Sequence, residues 1–295
     1  MTTFALNAND PYVRLIQRAL NEQLQLNLKR DGNLGPATQA AIRQWQVKNG
    51  MPAGTGAYQG PTADALDVYI SNRFLNNTDY QRVAAGLSAE VASVKAVTLV
   101  ESDGEGFLPS GKTTILFERH VFRRQLDLKL IASPSFTQQL ISQLNIPAPL
   151  AGSPEMNPVT RVQMHLASLY NDIYNAVSGG YAAAGAPGGE WARLQRAAAI
   201  DLASAQESAS WGLFQIMGYY WSRLGFGSAQ AMVDAMNASE HNQISAFSKF
   251  VATDHNLLSA IQTKNWTNFA KFYNGQNYAA NQYDTKLATA YKASL

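Results

Sequence analysis

Apolar positions recur at helical spacing along most of the chain. After Asp10-Pro11, an N-cap followed by proline at the first helical position, Val13, Ile16, Leu20 and Leu24 form one stripe. Asp31-Gly32 breaks that stripe with a turn, and a second helix from Pro36 or Thr38 carries Ala41, Ile42, Trp45 and Val47 until Asn49-Gly50. A third starts near Gly60-Pro61-Thr62 and includes Ala65, Leu66, Val68 and Tyr69. The segments GPATQAAI and GPTADAL echo each other, which suggests two similar half-units but is too short for a repeat array. No apolar period crosses Asn72 to Gln81, NRFLNNTDYQ, so the chain is expected to divide into a domain at 1–71, a linker at 72–84 and a second domain at 85–295.

The second domain opens on a helix with Ser88 as expected N-cap and Glu90 in its first turn, at the positive end of the helix dipole. Val91, Val94 and Val97 form its stripe, Glu101 falls on the same stripe, and Asp103-Gly104 ends it. Lys112 to Phe117, KTTILF, rich in β-branched residues, is the best strand candidate. Beyond a proline-rich connection at 147–158, Asn157-Pro158 opens a helix with Val159, Val162, Leu166, Leu169, Ile173 and Val177 inward. A Gly and Ala loop from Gly179 to Gly189 precedes a helix from Glu190 to Ser208 with Trp191, Leu194, Ala198 and Leu202 inward. From Ser228 onward Phe247, Phe250, Leu257, Ile261, Trp266 and Phe269 sit at core spacing. The fold expected is therefore mainly α, with a three-helix domain followed by an α+β domain holding one small β-sheet.

Glu101 points where valines point, at a helix end beside a loop. Partial burial disfavours the charged carboxylate and raises its pKa, which suits a general acid that must arrive protonated and give its proton to a leaving oxygen. The plainer reading is a helix-terminal Glu in a salt bridge.

Length and composition narrow the classes. A chain of 295 residues, 46% hydrophobic and 15% charged, can bury two cores. A formal charge of +2 is too small to argue for nucleic acid. With no cysteine there is no disulfide framework, thiolate nucleophile or thiolate zinc cluster. The four histidines, His120, His165, His241 and His255, lack HExxH spacing, and no Walker loop or GxSxG elbow is present. No metal or other cofactor is expected. The N-terminal segment lacks a basic stretch followed by an apolar core, and no run approaches the ~18 to 20 apolar residues of a membrane span, so synthesis as a soluble cytosolic protein without membrane insertion is expected.

Three short helices at the N-terminus fit a DNA-reading helix-turn-helix, a generic bundle or a wall-binding module. Arg43 and Lys48 are the only basic residues of the middle helix, which argues against a DNA reader. VRLIQRAL, DGNLGPATQAAIRQWQVKNGM and GPTADAL resemble the peptidoglycan-binding three-helix domain family over Tyr12 to about Leu66, although the second loop, GTGAYQGPT, is irregular for that family.

Three motifs follow in order: the Glu101-Ser102 pair, GLFQIM within SWGLFQIMG at 210–218, and FYNG at 272–275. This order resembles the lysozyme-like superfamily of goose-type lysozymes and lytic transglycosylases. ESDGEGF, ILFERHVF, SASWGLFQIMG and YNG with Tyr278 and Tyr283 are similar, more closely, to the phage endolysin N-acetylmuramidase family, from about Ala85 to the C-terminus. The resemblance implies that Glu101 is the catalytic acid. A second carboxylate is sought among Glu118, Asp103 and Glu105, in that order, Glu118 because it ends the strand candidate. Glu118 reads equally as a strand-end acid paired with Arg119 or Arg123. Ser210 and Gln215, the latter offering donor and acceptor to an acetamido group or sugar hydroxyl, are candidate substrate-binding residues. So are Tyr273 and Asn274, although an Asn-Gly turn needs no functional explanation by itself.

The function implied is a modular endolysin that hydrolyses the bond between N-acetylmuramic acid and N-acetylglucosamine in peptidoglycan. A monomer is expected, with a holin-type partner giving access to the wall. The N-terminal domain is expected to be a separable tether whose removal spares action on soluble fragments. The rivals are a lytic transglycosylase with the same acid and a non-catalytic wall-binding or phage structural protein.

Overall fold

The computed structural model describes residues 9–52, 54–149, 156–181 and 189–295. It is mainly helical with one three-stranded sheet, as the apolar periods require. Two compact units emerge. The first holds the described residues through Thr114 together with Gly212–Phe214 and Ala235–Leu295; the second holds Ile115–Trp211 and Gln215–Asp234.

In the first unit α1 (Pro11–Leu24) starts where Asp10 accepts hydrogen bonds from the backbone N–H groups of Tyr12 and Val13. Helices α2 (Pro36–Lys48) and α3 (Gly60–Arg73) follow, each with proline in its first turn. Ile16, Leu20, Ile42, Trp45, Leu66 and Ile70 form the common core. Buried Gln17 holds the 31–35 turn: its amide donates to Asp31, Asn33 and Thr38, and its oxygen accepts from Gly32 N–H at 2.9 Å. Gly32 has φ +76°, and a Cβ there would lie 2.6 Å from the Asp10 nitrogen, so only glycine fits this turn.

Residues 72–84, expected as a linker, are structured. α3 continues to Arg73, Phe74 is buried at 1% exposure, and α4 (Asn77–Gly86) begins behind a reciprocal Asn76–Asp79 capping box. α5 (Val91–Ser102) is capped at Glu90 rather than at Ser88, whose φ of +49° is left-handed. The Glu90 carboxylate takes Lys264 and the Tyr291 hydroxyl, each at 2.5 Å.

The second unit contains the sheet, β1 (Ile115–Phe117), β2 (Ala209–Trp211) and β3 (Ile216–Met217), antiparallel in that order. Ile115 lies opposite Trp211, and Ser210 opposite Met217. The strand expected from Lys112 begins only at Ile115, with a single bridge between Phe107 and Thr113 before it. Around the sheet stand α6 (Arg119–Ala132), α7 (Pro134–Gln143), α8 (Pro158–Leu169), α9 (Gly189–Ala198) and α10 (Leu202–Glu207). The helix expected over 190–208 is broken after Ala198 because Asp201 caps a new one, accepting from Ser204 N–H at 3.0 Å. The Gly and Ala loop falls mostly on 182–188, outside the described residues. α11 (Ala229–Ala238) has residues in both units, and α12 (Glu240–Ala252), α13 (His255–Gln262), α14 (Trp266–Tyr273) and α15 (Tyr283–Ala293) complete the first.

Five residues placed inward by the sequence stripes are more than half exposed: Val47, Val68, Leu169, Val177 and Leu202. The reasons are local. Val47 and Val68 each lie two residues past a buried position, which turns them about 200° off the core face. α8 stops at Leu169, so its period no longer governs Val177, and Leu202 opens α10 instead of continuing α9. Among the described residues no single helix is long and apolar enough to cross a membrane.

Candidate active site

α5 buries Ala92, Val94, Ala96 and Val97, and Glu101 continues the Val94–Val97 face one turn later. The helix ends at Asp103, left-handed at φ +52°, followed by Gly104 at +78°. Glu101 is half-buried, and Nδ2 of Asn274 donates to its Oε1 at 2.8 Å. Burial pushes the Glu101 carboxyl up to about 7, against the opposing influence of the Asn274 hydrogen bond and the Lys286 charge. A carboxylic acid so placed keeps its proton in about half of the molecules at neutral pH, where an ordinary glutamate is almost fully ionised, and can release it to a basic oxygen.

Asn274 is carried at the C-cap of α14, with Gly275 left-handed at φ +88° behind it, so FYNG ends a helix and aims its amide at the acid. The Asn274 side-chain oxygen is buried and has no hydrogen-bond partner among the described residues. Tyr273 has a different task from its neighbour. Its hydroxyl donates to the Phe214 carbonyl at 2.6 Å, and its ring stacks on Phe269 with centroids 5.2 Å apart. Phe214 stacks on Phe247 at 4.1 Å, so an aromatic column fixes the GLF turn in the same unit as the acid. Ser102, next to Glu101, donates its hydroxyl to the Leu213 carbonyl at 2.8 Å, which ties that turn to α5 directly.

The structure brings Ser210 and Gln215 together in the second unit: the Ser210 hydroxyl donates to Oε1 of Gln215 at 2.7 Å. Gln215 has φ +48°, a left-handed backbone that costs a non-glycine residue energy and clusters at functional positions. Nothing in the sequence pattern announced that strain.

Glu118 also lies in the second unit, at the N-cap position of α6, without a side-chain capping bond. The Tyr181 hydroxyl contacts its two oxygens at 3.0 and 3.2 Å, and Nδ1 of His120 lies 3.2 Å from Oε2. Burial raises its pKa, while the Tyr181 hydrogen bond, His120 and Arg193 act the other way. Of the two expected partners, Arg119 instead donates to the carbonyls of Asn171, Val177 and Ser178, and Arg123 pairs with Asp127 at 3.5 Å. Of the other carboxylates considered, Glu105 is ion-paired with Arg30 and Asp103 is an exposed helix cap.

Four contributors escaped the sequence reading. Tyr181 and Lys286 bear on the two carboxylates from distant segments and carried no local signal. Glu240 and Gln243, both nearly fully buried, occupy apolar-stripe positions of α12 beside Ile244 and Phe247, and polar residues on that stripe were the available clue.

In the N-terminal module the irregular second loop lines a groove of about 1360 Å³ together with Tyr12, Gln46 and Asp67. The hydroxyls of Tyr12 and Tyr58 both donate to Oδ1 of Asp67.

Comparison with known proteins finds matches for both regions of the chain. Residues 9–66 match the family described as "Putative peptidoglycan binding domain", and residues 90–294 match the family "N-acetylmuramidase". No curated protein matches. Among solved structures, the crystal structure of Burkholderia AP3 phage endolysin is similar at 36% identity and a TM-score of 0.58, over 100% of this chain and 98% of that one. With an N-terminal peptidoglycan-binding domain in front of it, the region holding Glu101 and Asn274 places the chain in the N-acetylmuramidase family.

Proposed function

We propose that the protein is an endolysin that cuts the β-1,4 bond between N-acetylmuramic acid and N-acetylglucosamine, with Glu101 as general acid. The observation that carries this reading is the acid itself: a half-buried carboxyl raised to about 7 and held by Asn274. Protonated Glu101 gives its proton to the glycosidic oxygen as the C1–O bond breaks, leaving oxocarbenium-like charge on the muramic sugar. Water then adds at C1. Glu118 is our candidate to activate that water or shield the charge, with Ser210 and Gln215 as substrate contacts and the N-terminal groove as the wall-holding surface. Carboxyl groups about 5 to 5.5 Å apart would imply retention, and about 6.5 to 9.5 Å inversion.

On this reading a monomer made in a host cytoplasm reaches the wall once a holin-type protein has opened the membrane, and host lysis follows. Likeness to a phage endolysin supports that part.

One observation favours a second reading. Within its own unit Glu101 is hydrogen-bonded by an amide and not by a second carboxylate, which suits a lytic transglycosylase, where the substrate's own 6-hydroxyl attacks C1. Mass spectrometry of digested sacculi separates the two. Reducing-end muramic acid supports hydrolysis, whereas 1,6-anhydro products, lighter by one water, support the transglycosylase. Products with free N-acetylglucosamine ends, or no glycan cleavage, would overturn both.

A further inference from the structure

We infer that the N-terminal three-helix module is a positioning part of the acid site, and that Arg18 and Arg30 act on Glu101 through the segment that follows it. The inference rests on Glu101 being the acid. Glu101 occupies the last turn of α5, and after the left-handed Asp103 and Gly104 the chain runs through Glu105, Gly106 and Phe107. The module contacts two of those three residues directly and reaches the third through one carboxylate. Arg30 forms an ion pair with Glu105. Arg73, at the end of α3, places its guanidinium 3.3 Å from the centroid of the Phe107 ring. Phe107 itself belongs to the module's core, packed with residues such as Ile16, Leu20 and Trp45.

Gly106 is held through Glu240. Oε1 of that carboxylate accepts from Gly106 N–H at 2.9 Å and from Nη2 of Arg18 at 2.5 Å, while Oε2 accepts from Leu75 N–H at 3.1 Å. Arg18 and Glu240 are 8% and 2% exposed, so this is a buried ion pair. A buried ion pair is a costly way to build stability that apolar residues could supply, and such pairs can instead fix one arrangement of the chain. Here the fixed arrangement includes Gly106. The fit leaves no slack: a Cβ at Gly106 would come within 2.2 Å of Oε1 of Gln243 and 3.0 Å of Cγ of Glu240. Gln243, one turn after Glu240, uses the same oxygen to accept from Leu213 N–H at 2.8 Å. α12 thereby fixes both the segment after Glu101 and the turn to which Ser102 is bonded.

A tether needs none of this, because it raises local concentration through its linker alone. Removing the module would uncover Phe107 and leave Glu240 without Arg18. The expectation of a separable tether is therefore replaced by that of an integral module.

The test uses the full chain on soluble, uncrosslinked glycan fragments, so that wall binding is not read. Kinetics and thermal midpoints are measured for Arg18→Met/Glu240→Leu, Arg18→Met/Glu240→Gln and Arg30→Met. The Leu pair removes the acceptor for Gly106 N–H, whereas the Gln pair keeps an amide oxygen there. Displacement of a catalytic group by ~1 Å can cost ~10²-fold, so the Leu pair is expected to lose about tenfold in kcat with KM within about twofold of wild type. The Gln pair keeps an oxygen for Gly106 N–H but lacks Arg18, so it should recover only part of that loss, and Arg30→Met should lose several-fold at an unchanged midpoint. Wild-type kcat in the folded variants, or equal losses in the Leu and Gln pairs, would overturn the inference. If the double variants do not fold, Arg30→Met decides alone, since its ion pair is about one-third exposed. Glu101→Gln run in parallel keeps the two claims apart: activity there removes the acid assignment, whereas inactivity there with wild-type kcat in the others removes only the positioning role.

Discussion

Nδ2 of Asn274 lies 2.8 Å from Oε1 of Glu101, although the two residues are 173 positions apart in the chain. That bond joins the first and last motifs of the muramidase region. It also opposes burial: the amide favours the charged carboxylate, and Lys286 does the same from α15. The acid's pKa is thus a balance in which desolvation wins.

Lys286→Met should tip that balance further. Removing the cation raises the Glu101 pKa, and the active form is the protonated one. The falling limb of the pH profile of kcat/KM on soluble fragments is expected to move to higher pH, while the plateau at lower pH stays within a few-fold of wild type. A limb that stays in place or moves down contradicts the assignment of that limb to Glu101.

Glu101→Gln should change stability in a pH-dependent way. The folded-state pKa of about 7 lies above the ordinary 4.5, so the native protein holds a proton that the unfolded chain releases. Stability from that proton is present below about pH 4.5 and is lost as pH rises through about 7. The full loss is roughly 3 kcal/mol. Glutamine never ionises, so the variant's melting midpoint should exceed wild type at pH 8, and the difference should shrink toward pH 5. A constant difference across that range would show that Glu101 is not desolvated in solution.

Tyr273→Phe keeps the ring stacked on Phe269 but strands the Phe214 carbonyl. Chemical denaturation should report a loss of about 1 to 3 kcal/mol, the cost of an unsatisfied buried acceptor. An unchanged midpoint would mean that water replaces the hydroxyl and that the GLF turn does not depend on it.

Glu118→Gln distinguishes two roles. As a second catalytic group it should cost nearly as much activity as the Glu101 change, with substrate still bound. As a support for Tyr181 and His120 it should lower the melting midpoint first and reduce kcat only modestly. Rates and melting curves on one preparation decide between them.

Most helices were legible in the sequence because caps and stripes are local properties. Asp10-Pro11 and Asn157-Pro158 start helices where expected, and Val94, Val97 and Glu101 share a face. What failed was information that local pattern does not carry. NRFLNNTDYQ reads as a linker because its polar residues are those that cap helices, and Asn76 and Asp79 use them for that purpose. Ser88 is a good cap by type, yet its backbone is left-handed and Glu90 takes the position. Among the candidate residues, Glu101, Gln215 and Asn274 were visible as motif residues, whereas Lys286, Tyr181 and the Arg18–Glu240 pair act within their own units as tertiary facts. Arg18 and Glu240 are 222 residues apart, and neither spacing nor propensity connects them.

The central claim is that Glu101 delivers the proton to the glycosidic oxygen. Its most direct test is the initial rate of muropeptide release from purified sacculi by wild type and by Glu101→Gln, with circular dichroism confirming the fold. The amide keeps the shape and the Asn274 contact surface but has no proton to transfer, so a loss of at least ~10²-fold is expected. A well-folded Glu101→Gln protein that releases muropeptides near the wild-type rate would contradict the account.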